Sequence, residues 1–227
     1  MPQIRIDKFI ADRTEYSRSQ VKQLVKKGQI KVDGIPVKNS DAKINPEQNT
    51  VSVEDRELSY RKNTYILLNK PEGYVCSTDS RDGASVLELV LPEMRVKGLF
   101  PAGRLDKDTL GLVLLTDDGE FAHRILSPKH HVPKIYLVKL DRPFQDKYIN
   151  KFESEMVLEN GEKCMPARVM PVENNENWAF IQLFEGKYHQ VKRMVAACGN
   201  RVVALHRIKV GAYELPADLK PGEWCWL

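Results

Sequence analysis

Long hydrophobic runs are absent from this 227-residue chain. The apolar stretch at residues 110–115, with Gly111 counted, is far too short to cross a bilayer. The amino terminus holds no apolar segment of the length a secretory signal needs and carries Asp7 early, so a cytoplasmic protein with no membrane partner is expected. Cysteine is sparse: Cys76, Cys164, Cys198 and Cys225 are scattered without a C-x-x-C pair, which argues against a disulfide framework or a zinc knuckle and predicts reduced, partly buried thiols. The five histidines offer no H-x-x-x-H or H-E-x-x-H spacing, so two imidazoles are not set on one helix face and no structural metal is expected. Walker, dinucleotide-binding and G-x-S-x-G motifs are missing as well.

What is present is uneven charge. The net charge is +4, yet residues 1–43 hold ten Lys/Arg against five Asp/Glu, leaving 25 basic and 26 acidic residues for the rest. The basic excess therefore belongs to the amino-terminal lobe. There Ile4, Ile6, Phe9 and Ile10 predict a short helix over residues 4–12. Ser17 with Gln20 forms a capping box for a second helix over residues 18–27, which Gly28 stops. Arg18, Lys22 and Lys26 recur every four residues, so they line one face of that helix. Residues 30–32, the Asp33-Gly34 turn and residues 35–37 then read as a hairpin. The pattern R-I-D-K-F-I-A, followed by S-R-S-Q-V-K-Q-L-V-K-K-G-Q-I-K-V-D-G, closely resembles the alpha-L RNA-binding domain over residues 3–53. That resemblance implies contact with structured RNA, and the clustered charge suits a phosphate backbone.

The remaining chain predicts a larger α+β domain with a mixed, mainly antiparallel sheet. Domain limits are expected at residues 1–57 and 64–227, with a polar linker at 58–63. Strands are predicted at 65–69, 110–116 and 135–140, and a hairpin at 169–172 and 178–184 turns around residues 173–177. Helices are predicted at 85–91, where Ser85 caps and Pro92 closes, at 120–126, and at 188–198, ending at Gly199-Asn200. In the last, Val191, Met194, Val195 and Cys198 form the apolar stripe.

Three stretches carry chemistry. In residues 103–119, Asp106 stands between Arg104 and Lys107 just before the 110–116 strand. Opposite charge nearby favours the ionised carboxylate, which suits a nucleophile or an electrostatic stabiliser. A solvated surface turn fits the same residues. Asp106 and Asp108 also share a face if extended and could hold a divalent metal, although the spacing fails as an EF-hand loop. A glycosidase pair with Asp117, Asp118 or Glu185 stays open on sequence alone. In the second stretch Lys134 and Tyr136 point to one face of a strand, offering a phosphate contact and a stacking ring, or simply packing. The third stretch, residues 185–194, opens a helix on which Lys192 and Arg193 project about 100° apart, so one of them faces inward.

In order, L-N-K-P-E-G-Y-V-C-S, G-R-L-D-K-D-T-L-G-L-V-L-L-T-D-D-G, K-I-Y, E-G-K-Y-H-Q-V-K-R-M and L-H-R-I-K-V-G resemble the pseudouridine synthases of the RsuA group. With the alpha-L module in front, the resemblance covers nearly the whole chain. It implies isomerisation of a flipped-out uridine in RNA without cofactor or metal. Asp106 matches the catalytic aspartate and Tyr136 the tyrosine that stacks on the target base. Lys192 stands where most relatives carry the arginine that pairs with the aspartate, with Arg193 as the other candidate. Met194 or Val195 is expected to line the apolar wall. Substrate contacts are expected from Arg104, Lys134, Arg193, Arg18, Lys22 and Lys26. H-Q-V-K-R-M and S-P-K-H-H suggest small-subunit (16S) ribosomal RNA as partner, free or in an assembly particle, acted on by a monomer. The alternatives are a synthase for large-subunit rRNA and a non-catalytic RNA-binding or ribosome-assembly protein.

Overall fold

The computed structural model describes residues 3–58, 60, 63–91 and 96–227. They form two compact units, Met1–Thr64 with Val90–Leu99, and Tyr65–Leu89 with Phe100–Leu227. Part of the 58–63 linker and the closing Pro92 lie outside the described residues.

In the first unit, β1 (Ile4–Arg5) leads directly into α1 (Ile6–Ala11). The expected helix starts two residues late because β1 pairs with β4 (Lys43–Ile44). Helix α2 (Arg18–Lys26) carries the complete capping box: Gln20 N donates to Ser17 Oγ at 3.3 Å and Ser17 N donates to Gln20 Oε1 at 2.8 Å. These bonds satisfy amide donors that the first helical turn leaves without partners. Strands β2 (Ile30–Val32), β3 (Ile35–Pro36), β5 (Val51–Val53) and β6 (Arg56–Leu58) form a sheet in the order β3-β2-β5-β6. Asp33 and Gly34 turn the first hairpin with φ of 50° and 79°, the paired positive values that a two-residue turn between twisted strands requires. Ile6, Phe9, Ile10, Val21, Ile30 and Val51 close the core, while Arg18, Lys22 and Lys26 stay exposed on the opposite face of α2.

The second unit is built on a mixed sheet in the order β13-β14-β10-β15-β9-β7-β17. Its strands are β7 (Tyr65–Lys70), β9 (Leu110–Thr116), β10 (Lys134–Leu140), β13 (Arg168–Val172), β14 (Asn175–Leu183), β15 (Val202–Val210) and β17 (Trp224–Trp226). Short β8 (Phe100–Pro101) pairs with β9, and β16 (Tyr213–Glu214) pairs with β15. The β9–β15 pair is parallel and the other pairs are antiparallel. The central strand β9 buries Leu112, Val113, Leu114 and Leu115 in succession, the continuous apolar pattern of a strand covered on both faces. Strand β10 instead alternates, with Lys134, Tyr136, Val138 and Leu140 buried on one side.

Helix α3 (Gly119–Leu126) is capped by Asp118, whose carboxylate accepts from the amides of Glu120 and Phe121. Helix α4 (Lys147–Glu153) follows β10, and β11 (Met156–Val157) pairs with β12 (Lys163–Cys164) in a small ribbon. Helix α5 (Gln190–Ala197) sits between β14 and β15 in the chain and buries Val191, Met194 and Val195, with Cys198 buried just past its end. Met194 and Val195 thus pack into the core. The predicted helix over 85–91 is a single 3₁₀ turn, Val86–Leu89, with Ser85 Oγ accepting from Leu87 N. The 169–184 hairpin turns more tightly than expected, with Asn174 at φ 57° between β13 and β14. Among the described residues no helix is long and apolar enough to cross a membrane.

Candidate active site

Asp106 lies in the loop that joins β8 to β9, and that loop is held from beneath by two buried cations. Lys70, at the end of β7, is fully buried, and its ammonium donates to the carbonyls of Pro71 at 3.1 Å, Lys107 at 3.1 Å and Thr109 at 2.7 Å. Burial pushes the Lys70 pKa down, against the pull of nearby acidic groups including Asp108 and Asp106. The Gly73 amide adds a second bond to Lys107 O at 2.9 Å. On the other side Arg207 of β15, also buried, donates from Nε to Leu112 O at 2.9 Å and from Nη1 to Arg104 O at 3.4 Å. Arg207 stands opposite Tyr136 across β10 and β15, and residues directly opposite share a sheet face. One side chain therefore links the Asp106 loop to the strand that carries Tyr136.

The side chains that meet Asp106 come from far along the chain. Lys192 Nζ lies 3.3 Å from Asp106 Oδ2, and His189 Nε2 lies 3.5 Å from the same oxygen. Lys192 also binds both oxygens of Asp108, at 2.7 and 2.9 Å. Burial works against the Lys192 ammonium, but the Asp108 hydrogen bond and the charges of Asp106 and Asp108 outweigh it and hold its pKa above the ordinary lysine value. The same bond to Lys192 holds Asp108 below the usual carboxylate value. Both partners consequently stay charged through the neutral range. The sequence neighbours Arg104 and Lys107 are exposed. The expected cationic setting thus exists, but tertiary contacts supply it.

Each predicted site residue has a definite place. Tyr136 is buried at 8% exposure on the same face of β10 as Lys134. Lys134 departs from the expected phosphate contact: it is buried and its ammonium donates to Val132 O at 2.8 Å. Desolvation, with a smaller push from the Arg207 charge, lowers its pKa. Arg193 departs too, turning away from Asp106 to bind Glu162 at 2.7 Å, Asn160, and Tyr188 O at 3.2 Å. Lys192 is therefore the inward residue of the adjacent pair. Asp108, weighed as half of a metal site, shares the Lys192 ammonium with Asp106. Asp118 caps α3 and accepts from Tyr65 Oη, while Glu185 accepts from Met165 N and Gln190 Nε2. No cluster of three or more His, Cys, Asp or Glu placed to hold a metal occurs among the described residues.

Sequence reasoning assigned no role to Lys70, Arg207 or His189. Each lies inside one of the family-like motifs, and the one further signal is a lysine closing an apolar strand before proline, at Lys70-Pro71.

A small basic module, joined in one chain to a mixed sheet that presents a carboxylate and a lysine from distant segments, defines a two-domain RNA-modifying enzyme. A family model described as RNA pseudouridylate synthase matches residues 64–197, and an S4 domain model matches residues 4–49; the chain belongs to the RNA pseudouridylate synthase family. It is 43% identical over 222 residues to ribosomal small subunit pseudouridine synthase A of Escherichia coli (strain K12), covering 97% of this chain and 95% of that one. It is 40% identical over 223 residues to a Bacillus subtilis (strain 168) protein named uncharacterized RNA pseudouridine synthase YtzG, covering 97% of this chain and 93% of that one. A solved structure described as a pseudouridylate synthase is 40% identical and superimposes with a TM-score of 0.67, covering 99% of this chain and 96% of that one. The expected RNA-binding module, the α+β catalytic domain and the enzyme class all stand on these matches.

Proposed function

We propose that the protein converts one uridine of small-subunit ribosomal RNA to pseudouridine with Asp106 as nucleophile. The observation that carries the mechanism is the position of Asp106: a partly exposed carboxylate, 30% open to solvent, on a loop fixed from below and facing Lys192 and His189. An ionised carboxylate held in place is ready for attack without a general base. The substrate assignment rests on near full-length identity of 42–43% to proteins named ribosomal small subunit pseudouridine synthase A.

In this reading the target uridine leaves its stack and enters the site beside Tyr136, whose ring stacks on the uracil and offsets part of the cost of flipping. Asp106 attacks at the ribose or at the base, the N-glycosidic bond breaks, the uracil rotates, a carbon–carbon bond joins it to the sugar as the bond to Asp106 is released, and the freed ring nitrogen takes up a proton. The proton on the uracil carbon that forms the new bond is lost to solvent, with Tyr136 placed to help move it. Lys192 orients the Asp106 carboxylate while it is shared with Asp108. The exposed stripe of Arg18, Lys22 and Lys26 on the S4 module takes phosphate contacts.

The test is tritium release from small-subunit and large-subunit rRNA labelled at carbon 5 of uridine. Release from the small-subunit RNA, lost in Asp106→Asn with RNA binding near normal, is the expected result. Turnover by Asp106→Asn overturns the nucleophile, and release from large-subunit RNA alone overturns the substrate.

A further inference from the structure

Tyr188 is the most exposed large apolar side chain among the described residues, at 75%. Its ring stacks on His189 with centroids 3.8 Å apart and planes 18° apart, and His189 in turn lies 3.5 Å from Asp106. One face of the tyrosine is therefore covered by a ring that contacts the carboxylate. Three features shape the turn that carries this stack. His189 has φ 49°, a left-handed conformation uncommon for non-glycine residues in which Asn, Asp and His are enriched. The Tyr188 carbonyl accepts from Arg193, which is itself anchored on Glu162 and Asn160. The Lys187 amide donates to Gln190 Oε1 at 2.9 Å, and Gln190 is tied to Glu185 at 2.7 Å. An aromatic ring left open to water on a braced support contributes little to the fold and is pre-organised for a flat ligand.

We propose that the open ring of Tyr188 is a second base-binding site, stacking on the nucleobase adjacent to the flipped uridine. The inference rests on the pseudouridine-synthase reading of the Asp106 site. Extruding a uridine uncovers the faces of its neighbours in the RNA, and unstacked bases lie readily on aromatic side chains. The Tyr188–His189 stack starts at Asp106, so it stands beside the point where the extruded nucleotide enters. Tyr136 is buried and serves the target base, whereas Tyr188 is exposed and serves its neighbour. Because every base has a π-face, this site tolerates any neighbouring base and contributes affinity and register.

The test uses the rRNA fragment around whichever uridine the protein is found to convert, with 2-aminopurine placed in turn on either side of it. A wrong substrate assignment then surfaces as product on a different RNA and leaves the Tyr188 result readable. With the wild-type protein the fluorescence of one flanking 2-aminopurine is quenched on binding. Tyr188→Ala and Tyr188→Leu are expected to lose that quenching and to raise KM about 5- to 160-fold, the range of one base–aromatic stack, with kcat nearly unchanged. Tyr188→Phe and Tyr188→Trp are expected to keep both. Unchanged KM and quenching in Tyr188→Ala overturn the proposal. So does a KM rise with no fluorescence change on either flank, or a loss in Tyr188→Phe equal to that in Tyr188→Ala.

Discussion

Lys192 faces two carboxylates at once, 3.3 Å from Asp106 and 2.7 Å from Asp108. Asp108 takes the closer hydrogen bonds, which leaves Asp106 the more loosely held of the two. Lysine is a compact point charge, and arginine at the same place would offer a bidentate fork. Lys192→Arg is therefore expected to keep activity within about tenfold of wild type. Lys192→Met is expected to lower kcat by about 100-fold, the loss typical of one preorganised charge at a reacting centre. Single-turnover tritium release with parallel filter binding checks both, and wild-type kcat in the methionine variant refutes the role. At this scale the contact of Asp106 with the stretch that holds Lys192 was legible because both sit in distinctive motifs. The choice between Lys192 and Arg193 was not, since adjacent helix residues differ only in direction and Glu162 and Asn160 draw Arg193 away.

The site depends on elements meeting at one parallel strand pair. At Gly111, where β9 meets β15, an added Cβ would lie 2.2 Å from Arg207 O and 2.4 Å from His206 Cδ2, on a backbone with φ 103°. The two strands approach closely only because glycine is there. The same approach lets Arg207 reach Leu112 O and Arg104 O behind Asp106. Gly111→Ala is expected to cost about 3 kcal/mol or more through clash and strain. Urea unfolding followed by tryptophan fluorescence measures it, and an unshifted midpoint contradicts the packing argument. Elements set by local rules were readable from sequence: the Ser17–Gln20 box starts α2 where expected. The start of α5 was not readable, because the conformation of His189 has no glycine to announce it and the residue is held by contacts from other segments.

Across the whole molecule, charge is divided between the units. The basic excess of residues 1–43 sits with the S4 module, and the exposed stripe on α2 is its most regular part. Neutralising Arg18, Lys22 and Lys26 together is expected to weaken RNA binding and to flatten the dependence of log affinity on log salt by roughly one unit for each phosphate that the stripe no longer neutralises. Titrations at several salt concentrations test this, and an unchanged slope removes the stripe from RNA docking. The pattern of strands and the two-part organisation were legible because strand periodicity and charge distribution are local in sequence. The order of strands in the sheet was not, since pairing such as β9 with β15 joins segments some 95 positions apart, as in the Leu112–Arg207 hydrogen bond.

The sequence by itself determined the family, the basic module and the presence of Asp106 ahead of a buried strand, because these lie in contiguous motifs and residue chemistry. Tertiary structure alone decided which side chains meet Asp106. Arg104 and Lys107 adjoin it in the chain yet are exposed to water, while Lys192 and His189, more than 80 positions away, close on its carboxylate. It also decided that Lys134 is buried on a carbonyl rather than free for phosphate. The reason is physical: Coulomb attraction and desolvation depend on distance and burial in space, which sequence adjacency does not set.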